Sequence, residues 1–310
     1  MKRVLIVGGS GFIGSAITDF LKVRGYDVGV YDKVLRNTNG VHYYHGNILE
    51  DKELIEIFRE YEVLIYLISS IMPQDSMDNP SCSYSTDIPL LLHTLNACKS
   101  AGIKRIIYSS SGGSVYGEQI APSKEDETIP DPINHYAICK LTCEKILLLY
   151  NHLYEMENIV LRISNPYGLN QQLSSGVGAV TAIAKKVISG DVIQIYGDGE
   201  NIRDYLSVKD VAKAFYLAIG WKYSSEVNPV FNVGSGEGLS LNQVIYLISR
   251  AIEKNPCVSY IQPREFDLKY NVLDMNKTEK YLGRITEKHA KEEIRDFCIN
   301  LKERMERKSK

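Results

Sequence analysis

The sequence predicts an α/β protein built on a doubly wound parallel sheet. Two observations carry this prediction. Residues 4–7, Val-Leu-Ile-Val, are apolar at every position, as in strands that a parallel sheet buries on both faces. A glycine-rich turn and a helical pattern follow this run directly, and further apolar strands alternate with helical segments as far as residue 163.

Composition and net charge limit which classes of protein the chain can belong to and which partners it can bind. The chain has 310 residues, 44% apolar and 24% charged, enough to bury a large core. Its net charge of −2 favours neither nucleic acid nor an anionic membrane as a partner. No apolar run approaches the roughly 20 residues that span a bilayer, and a first strand beginning by Arg3 leaves no room for a signal peptide. Six cysteines without a C-x-x-C pair predict reduced thiols, no metal site and a cytoplasmic protein.

The glycine turn, residues 8–14 (Gly-Gly-Ser-Gly-Phe-Ile-Gly), connects the first strand to a helix that Gly25 ends. Glycines let the backbone approach a pyrophosphate at a helix N-terminus. The second strand, residues 27–32, ends at Asp32, where a carboxylate accepts hydrogen bonds from ribose hydroxyls. This arrangement predicts a Rossmann-type dinucleotide site. Asp32 favours NAD, because it would repel the 2′-phosphate of NADP. The alternative is a glycine turn that only packs the helix against the strand.

The later elements continue the pattern. We expect strands at residues 63–68, 105–109 and 159–163, and helices at about 88–100 and 135–154. The strand at 105–109 leads into the serine turn, residues 109–117 (Ser-Ser-Ser-Gly-Gly-Ser-Val-Tyr-Gly), at the sheet edge where such folds bind ligands. Residues 1–168 are expected to form the first domain, which carries the dinucleotide site.

Tyr136 and Lys140 are the strongest catalytic candidates. Four residues apart on a helix, they lie one turn apart on one face. An ammonium beside a tyrosine stabilises the phenolate, which suits proton transfer. The pair alone is weak evidence, because the chain has 21 tyrosines.

Taken together, the motifs resemble those of the extended short-chain dehydrogenase/reductase family. The likeness is greatest to its NAD-dependent epimerase/dehydratase group, which includes the UDP-glucose (UDP-hexose) 4-epimerases, and it covers residues 1 to about 285. The matching segments are G-x-x-G-x-x-G at 8–14, Y-x-x-x-K at 136–140, L-R-x-x-N-x-Y-G at 161–168, G-D-G-x-x-x-R-D-Y at 197–205 and R-x-x-D at 264–267.

The resemblance implies a smaller C-terminal α/β substrate lobe, formed mainly by residues 169–310, while about 203–235 returns to the NAD-binding domain of residues 1–168. It also implies roles for individual residues. Tyr136 would exchange the proton of a sugar hydroxyl, and Lys140 would hold the nicotinamide ribose. The substrate's nucleotide diphosphate would be held by Asn165, Arg203 and Arg264, and the size of Asn271 would decide whether N-acetyl sugars fit. With Tyr136 and Lys140, the implied cofactor contacts are Gly8, Gly11, Phe12, Ile13, Gly14, Asp32, Asn47, Ile48, Leu67 and Ile68.

The serine turn indicates which reaction of the group applies. Dehydratases of the group carry Asp-Glu where this chain has Gly113-Ser114, so the extra acid or base is missing. The resemblance then implies NAD-dependent 4-epimerisation of UDP-glucose/galactose, UDP-GlcNAc/GalNAc or both: hydride abstraction at C4, rotation of the 4-keto sugar and hydride return. The alternatives are an NAD(P)H-dependent 4-ketosugar reductase and a non-catalytic NAD-binding regulator.

Three positions depart from the group. One is Asn47, which stands where an acid is common near the adenine. At the position where the group carries its catalytic hydroxyl, this chain has Gly112. Ser111 or Ser114 must therefore supply the hydroxyl, and Ser111 is favoured. Asp87 stands where asparagine is common near the cofactor phosphates, and a carboxylate there would cost binding unless protonated or turned away.

Relatives dimerise through the helices at about 88–100 and 135–154, so we expect a homodimer. The alternative is that the C-terminal lobe buries the second helix.

Overall fold

A seven-stranded, all-parallel sheet forms the centre of the N-terminal part of the protein. The computed structural model describes residues 2–34, 40–171, 178–264 and 267–308. The topology confirms the predicted Rossmann-type class. In spatial order the strands are β3 (His42–His45), β2 (Asp27–Asp32), β1 (Arg3–Val7), β4 (Val63–Tyr66), β5 (Arg105–Ser111), β6 (Ile159–Ile163) and β10 (Val230–Val233).

Helices cover both faces of this sheet, which is why its strands are apolar throughout. Val4 and Ile6 of β1 pack in the cluster beneath α1 (Phe12–Val23) and α7 (Val208–Gly220). Leu5 and Val7 pack in the opposite cluster. The helices over that second cluster are α2 (Leu54–Arg59), α4 (Pro80–Ala101) and α5 (His135–Tyr154). Helix α3 (Pro73–Asp78) lies against α4 and α5.

Helix α4 begins earlier than the sequence pattern predicts, at Pro80 instead of about residue 88. Proline suits the first turn of a helix, where its missing N–H has no partner to lose. The polar residues that follow and Pro89 inside the helix obscure the apolar repeat. The end of α4 at Gly102, in the left-handed conformation, agrees with the prediction.

The C-terminal part is built around smaller sheets. Strand β9 (Ile202–Ser207) pairs with β7 (Asn165–Tyr167), β11 (Gly238–Ser240) and β13 (Tyr270–Asn271). Strands β8 (Val192–Tyr196) and β12 (Cys257–Ile261) form a separate parallel pair. The remaining helices are α6 (Ala179–Ser189), α8 (Leu241–Ile252), α9 (Asn276–Tyr281) and α10 (Ala290–Lys308).

A third apolar cluster holds this part together. It is formed by side chains of α6, α8 and α10, for example Val180, Ile248 and Ile294. Helix α7 and strand β10, both within residues 203–235, pack instead with the large sheet, where the Trp221 ring lies 5.1 Å from Phe231. The division into two domains stays a prediction. Within the described residues, no helix has the length and apolar character needed to cross a bilayer.

Candidate active site

The glycine turn forms an open cradle at the beginning of α1. Gly8 has φ +80°, and a Cβ on Gly14 would lie 2.6 Å from the Gly9 Cα, so backbone conformation and packing require these glycines. Gly11 differs, because a Cβ there would meet only the Gly8 carbonyl oxygen, at 3.6 Å. No described side chain caps the N-terminus of α1. The first N–H groups of α1 therefore remain available to an anion such as a pyrophosphate.

Side chains expected to bind NAD surround this cradle. Asp32, at the end of β2, accepts hydrogen bonds from the Ser10 N–H at 2.9 Å and the Val34 N–H at 3.0 Å. Leu67 and Ile68 follow β4 and lie 3.3 Å from where a Gly8 Cβ would be. An acid beside the turn and an apolar wall behind it fit the ribose and the rest of a dinucleotide.

Four other residues are also expected to contact the cofactor. Phe12 packs beside Gly168, and Ile13 is half-buried against the core. Asn47 lines a cavity of about 460 Å³ beyond β3. Ile48 is only 2% exposed and packs in the core, so any contact with an adenine would come from its backbone.

Asp87 is turned toward the loop that follows β4. The side chain is 7% exposed, and its carboxylate accepts hydrogen bonds from the Ser70 N–H at 2.9 Å and the Ser69 hydroxyl at 3.4 Å. These hydrogen bonds stabilise the Asp87 carboxylate, and its effect on cofactor binding stays a prediction.

Tyr136 and Lys140 lie together on the first two turns of α5, as their spacing predicts. The side chain of Asn134 caps the helix by accepting the Ala137 N–H at 2.8 Å. Lys140 is 5% exposed, and its Nζ donates to the Ser109 carbonyl oxygen at 3.1 Å. The same Nζ lies 5.7 Å from the centroid of the half-buried Tyr136 ring. A held ammonium thus stands beside a phenol that solvent or a substrate can reach.

The serine turn leaves no space for a hydroxyl at Gly112. A Cβ there would lie 2.7 Å from the Leu273 Cδ1 and 2.8 Å from the Arg162 carbonyl oxygen. Ser111 ends β5, and both Ser111 and Ser114 are half-buried. Neither serine hydroxyl has a hydrogen-bond partner in the part of the chain that the structure describes, so both are available to a substrate.

Two of the expected substrate residues lie on adjacent strands of the sheet around β9. Asn165, on β7, donates from Nδ2 to the Asp204 carbonyl oxygen at 2.9 Å. Arg203, on β9, donates to the Ile202 carbonyl oxygen at 2.9 Å, and burial lowers the pKa of its guanidinium. Among the described residues no carboxylate forms an ion pair with Arg203. An anionic substrate group would supply the missing negative charge.

Arg264 is held differently. Its Nε pairs with Asp267 at 3.1 Å, and its Nη1 donates to Gln74, on α3, at 2.8 Å. The guanidinium lies 4.1 Å from the centroid of the Tyr196 ring. Arg264, Asp198 and Lys269 line one cavity of about 980 Å³, which is large enough for a small ligand.

Asn271 is fully buried behind the serine turn. Its Nδ2 donates to the Gly112 carbonyl oxygen at 3.1 Å, and its Oδ1 has no partner among the described residues. The side chain therefore supports the turn, and its role in selecting N-acetyl sugars stays a prediction.

A buried ion pair beneath these residues was not predicted from the sequence. Glu144 lies one turn beyond Lys140 on α5, and it pairs with Arg162 of β6 at 2.7 Å. A charged residue inside the apolar run of α5 is a signal that could have pointed to it. Asp204, also buried, accepts hydrogen bonds from Ser235 and Gly236 and so supports the fold instead of facing a ligand.

The chain is similar to known proteins in sequence and in fold. The sequence model of the NAD dependent epimerase/dehydratase family matches residues 4–234. A putative UDP-glucose 4-epimerase of Methanocaldococcus jannaschii is 34% identical over 301 residues, which cover 94% of this chain and 96% of that protein.

Two solved structures extend the comparison. The UDP-glucose 4-epimerase of Thermotoga maritima, crystallised with UDP-glucose, has a TM-score of 0.90 at 30% identity and covers 98% of this chain and 99% of its own. The UDP-N-acetylglucosamine 4-epimerase of Methanobrevibacter ruminantium M1 has a TM-score of 0.88 at 27% identity and covers 99% of both chains. The expected family and its cofactor, NAD, are confirmed. The chain belongs to the NAD dependent epimerase/dehydratase family.

Proposed function

We propose that this protein is an NAD-dependent nucleotide-sugar 4-epimerase that interconverts UDP-glucose with UDP-galactose, UDP-GlcNAc with UDP-GalNAc, or both. The observation that carries the proposal is the buried Lys140 ammonium, fixed by the Ser109 carbonyl oxygen beside the reachable Tyr136 phenol. The relatives named UDP-glucose and UDP-N-acetylglucosamine 4-epimerases support both substrate classes.

The chain's own residues move the proton. When bound, NAD would supply the acceptor and donor of a hydride for C4 of the sugar. Tyr136 takes the proton of the C4 hydroxyl as the hydride leaves and gives it back on return, so the net reaction is an isomerisation. Lys140 stabilises the phenolate, and Ser111 is the favoured donor of a hydrogen bond to the C4 oxygen.

The diphosphate of the substrate would be held by the positive charges of two arginines. Arginine forks suit bidentate contacts with phosphate, and Arg203 has no ion-pair partner among the described residues. Arg264 is held by Asp267 and Gln74, and it would exchange those contacts for the diphosphate. Asn165 completes this set. Holding the diphosphate while leaving the hexose free to turn is what epimerisation requires.

Dehydration is disfavoured because the serine turn offers no carboxylate. Gly113 and Ser114 occupy the positions where an acid would act. Glu118, just after the turn, accepts hydrogen bonds from the N–H groups of Lys269 at 2.6 Å and Tyr270 at 3.0 Å, so its carboxylate is already engaged.

We also propose a cytoplasmic homodimer with α4 and α5 at its interface. Helix α5 exposes apolar side chains that the C-terminal lobe leaves uncovered: Ile138, Leu149, Leu153 and Tyr154 are 40–54% exposed. Such a face favours a second copy over water. The cysteines of the described residues are unpaired thiols, which suits a reducing compartment. Light scattering of the purified protein would test the dimer.

The decisive experiment begins without added cofactor. Purified protein is denatured and the released nucleotide identified, and fresh protein is then incubated with UDP-glucose, UDP-galactose and their N-acetyl counterparts. We expect release of NAD and interconversion of at least one sugar pair. Full NAD occupancy with every sugar unchanged would refute the proposal, and stoichiometric consumption of added NAD(P)H would assign a 4-ketosugar reductase instead.

A further inference from the structure

The Glu144–Arg162 ion pair lies wholly inside the protein. Its side chains are 1% and 4% exposed. Arg162 binds the carboxylate with two nitrogens: Nη2 reaches Oε2 at 2.7 Å, and Nε lies 3.0 Å from Oε1 and 3.2 Å from Oε2. This is the bidentate geometry that gives an ion pair directional stiffness as well as charge.

The pair connects the elements that carry the candidate catalytic residues. Ser110 of β5 donates to Glu144 of α5. The Arg162 guanidinium, from β6, lies 4.7 Å from the centroid of the Tyr116 ring in the serine turn. The Tyr116 hydroxyl in turn donates to the Asn232 Oδ1 of β10 at 2.8 Å.

These contacts continue the catalytic face of α5. Tyr136, Lys140 and Glu144 are spaced at i, i+4 and i+8, so they form one row along the helix. Ser109 accepts from Lys140, and the next residue of β5, Ser110, donates to Glu144. Two successive residues of β5 therefore fix two successive turns of α5, immediately before Ser111.

Stability alone does not account for a charged pair at this place. Replacing a buried ion pair by apolar residues of similar volume is often neutral or stabilising, whereas removing one partner is costly. The Nη1 of Arg162 is buried without a partner among the described residues, a further cost of keeping the charge there. What the pair supplies, and an apolar contact does not, is a directional link between two strands, a turn and a helix.

We propose that Glu144 and Arg162 are positioning residues of the active site, which set α5 against β5, β6 and the serine turn so that Tyr136 and Lys140 meet the substrate and the nicotinamide ribose. This inference rests on the proposed function for Tyr136 and Lys140. Neither residue of the pair touches the reacting atoms. Their effect is on the geometry of the groups that do.

The test begins with Glu144→Gln, which removes the charge and keeps the shape. A displacement of about 1 Å at reacting groups costs up to about 100-fold in rate. We therefore expect kcat to fall about 10- to 100-fold. The KM for the UDP-hexose should stay within about twofold, because Arg203, on β9, and Arg264, after β12, belong to none of the elements that the pair connects. The matched control is Glu157→Gln. Glu157 pairs with Arg105, at the opposite ends of the same strands β5 and β6, and its loss should leave kcat unchanged.

A double variant separates positioning from stability. Glu144→Leu combined with Arg162→Met replaces the ion pair by an apolar contact, which should recover the melting temperature lost in Glu144→Gln. We expect kcat to stay low. The proposal is overturned if the double variant restores kcat, or if Glu144→Gln loses no more kcat than Glu157→Gln when both are measured on folded protein.

Affinity for NAD gives a readout that does not depend on the sugar reaction. Calorimetric titration of NAD into protein stripped of its nucleotide should show at least about tenfold weaker binding in Glu144→Gln than in Glu157→Gln, because Lys140 would no longer meet the ribose. If the wild type converts no sugar, the proposed epimerase activity fails, and equal NAD affinities in the two variants would then refute the positioning role on their own.

Discussion

At the scale of single residues, the distance from the Lys140 ammonium to the Tyr136 ring sets how much charge stabilisation is available. The Lys140 Nζ lies 5.7 Å from the centroid of the Tyr136 ring, close enough for its charge to act on a phenolate. The Lys140 side chain is 5% exposed, so water screens this charge less than it would at the surface. Burial of the lysine is thus as important to the proposed chemistry as its spacing.

Replacing Tyr136 by phenylalanine removes only the phenol hydroxyl. We expect kcat to fall by about 10²- to 10⁴-fold, the usual contribution of a general acid or base, with the melting temperature and bound NAD little changed. Steady-state kinetics, thermal unfolding and nucleotide release would check this. Tyr154→Phe, at the far end of α5, is the control and should behave as wild type. A Tyr136→Phe enzyme that keeps its kcat would eliminate Tyr136 as the acid/base.

Adjacent glycines in the serine turn should respond differently to alanine. In Gly112→Ala the new methyl group meets Leu273 at 2.7 Å and the Arg162 carbonyl oxygen at 2.8 Å, so we expect about 1–3 kcal/mol of lost stability. In Gly113→Ala the nearest atom is the Asn165 Oδ1 at 3.5 Å, an ordinary contact, and the loss should be much smaller. Urea denaturation measures both. Equal losses would mean that the turn shifts freely, and that a hydroxyl fits at residue 112 after all.

The sequence predicted those site residues whose neighbours are local. The spacing of Tyr136 and Lys140 determines that they share a helix face, and the end of a strand determines where Asp32 lies. The crowding at Gly112 was not predictable, because Leu273 reaches it from far along the chain. The same holds for Asn271, which supports the turn across 159 residues of sequence. Local periodicity carries no information about such contacts.

At the scale of elements, we expect the two glycines Gly11 and Gly14 at the beginning of α1 to have different roles: Gly14 in packing and Gly11 in NAD binding. Gly14→Ala would place a methyl group 2.6 Å from Gly9 and force α1 away from β1, so we expect a clear loss of folded protein. Gly11→Ala meets nothing closer than 3.6 Å and should melt as wild type does, while NAD binding weakens because the methyl group occupies the cradle. Thermal unfolding and calorimetric titration of NAD separate the variants. Undiminished NAD affinity in Gly11→Ala would contradict the assignment of the cradle.

Element boundaries were predictable where capping residues mark them. Gly25 and Gly102 both have positive φ and end α1 and α4 as expected. The beginning of α4 was not predictable, because Pro80 and Pro89 each resemble a helix breaker in the sequence. Tertiary packing against α2 and α5 offsets that local cost.

At the scale of the whole molecule, a carboxyl group lies where the two parts of the chain meet. Asp210 is in the first turn of α7, which packs on the large sheet, and Glu293 is on α10 of the C-terminal cluster. Burial, together with the negative charges of Glu293 and Glu287, raises the pKa of Asp210 to about 7, against the opposing effect of Lys213. Ionisation of Asp210 therefore works against the folded state.

The sign of the resulting pH dependence follows from linkage. As pH rises above the ordinary value of 3.8, the unfolded chain loses this proton while the folded chain keeps it until about pH 7. Asp210 should thus reduce stability progressively across that window. We expect Asp210→Asn to gain melting temperature relative to wild type as pH rises from about 4 to about 7, with no further gain above. Asp19→Asn, exposed on α1, is the control. A difference between Asp210→Asn and wild type that is constant across the window would contradict the raised pKa.

The protein has one tryptophan, so its intrinsic fluorescence reports on only one part of the fold. Trp221 packs against Phe231 in the core of the large sheet, and the cluster formed by α6, α8 and α10 contains no indole. Intrinsic fluorescence therefore follows the unfolding of the large sheet, whereas far-ultraviolet circular dichroism follows both parts. Coincident denaturation curves would mean that the chain unfolds as one unit. A loss of ellipticity that precedes any change in fluorescence would mean that the C-terminal lobe opens while the nucleotide-binding sheet is still intact.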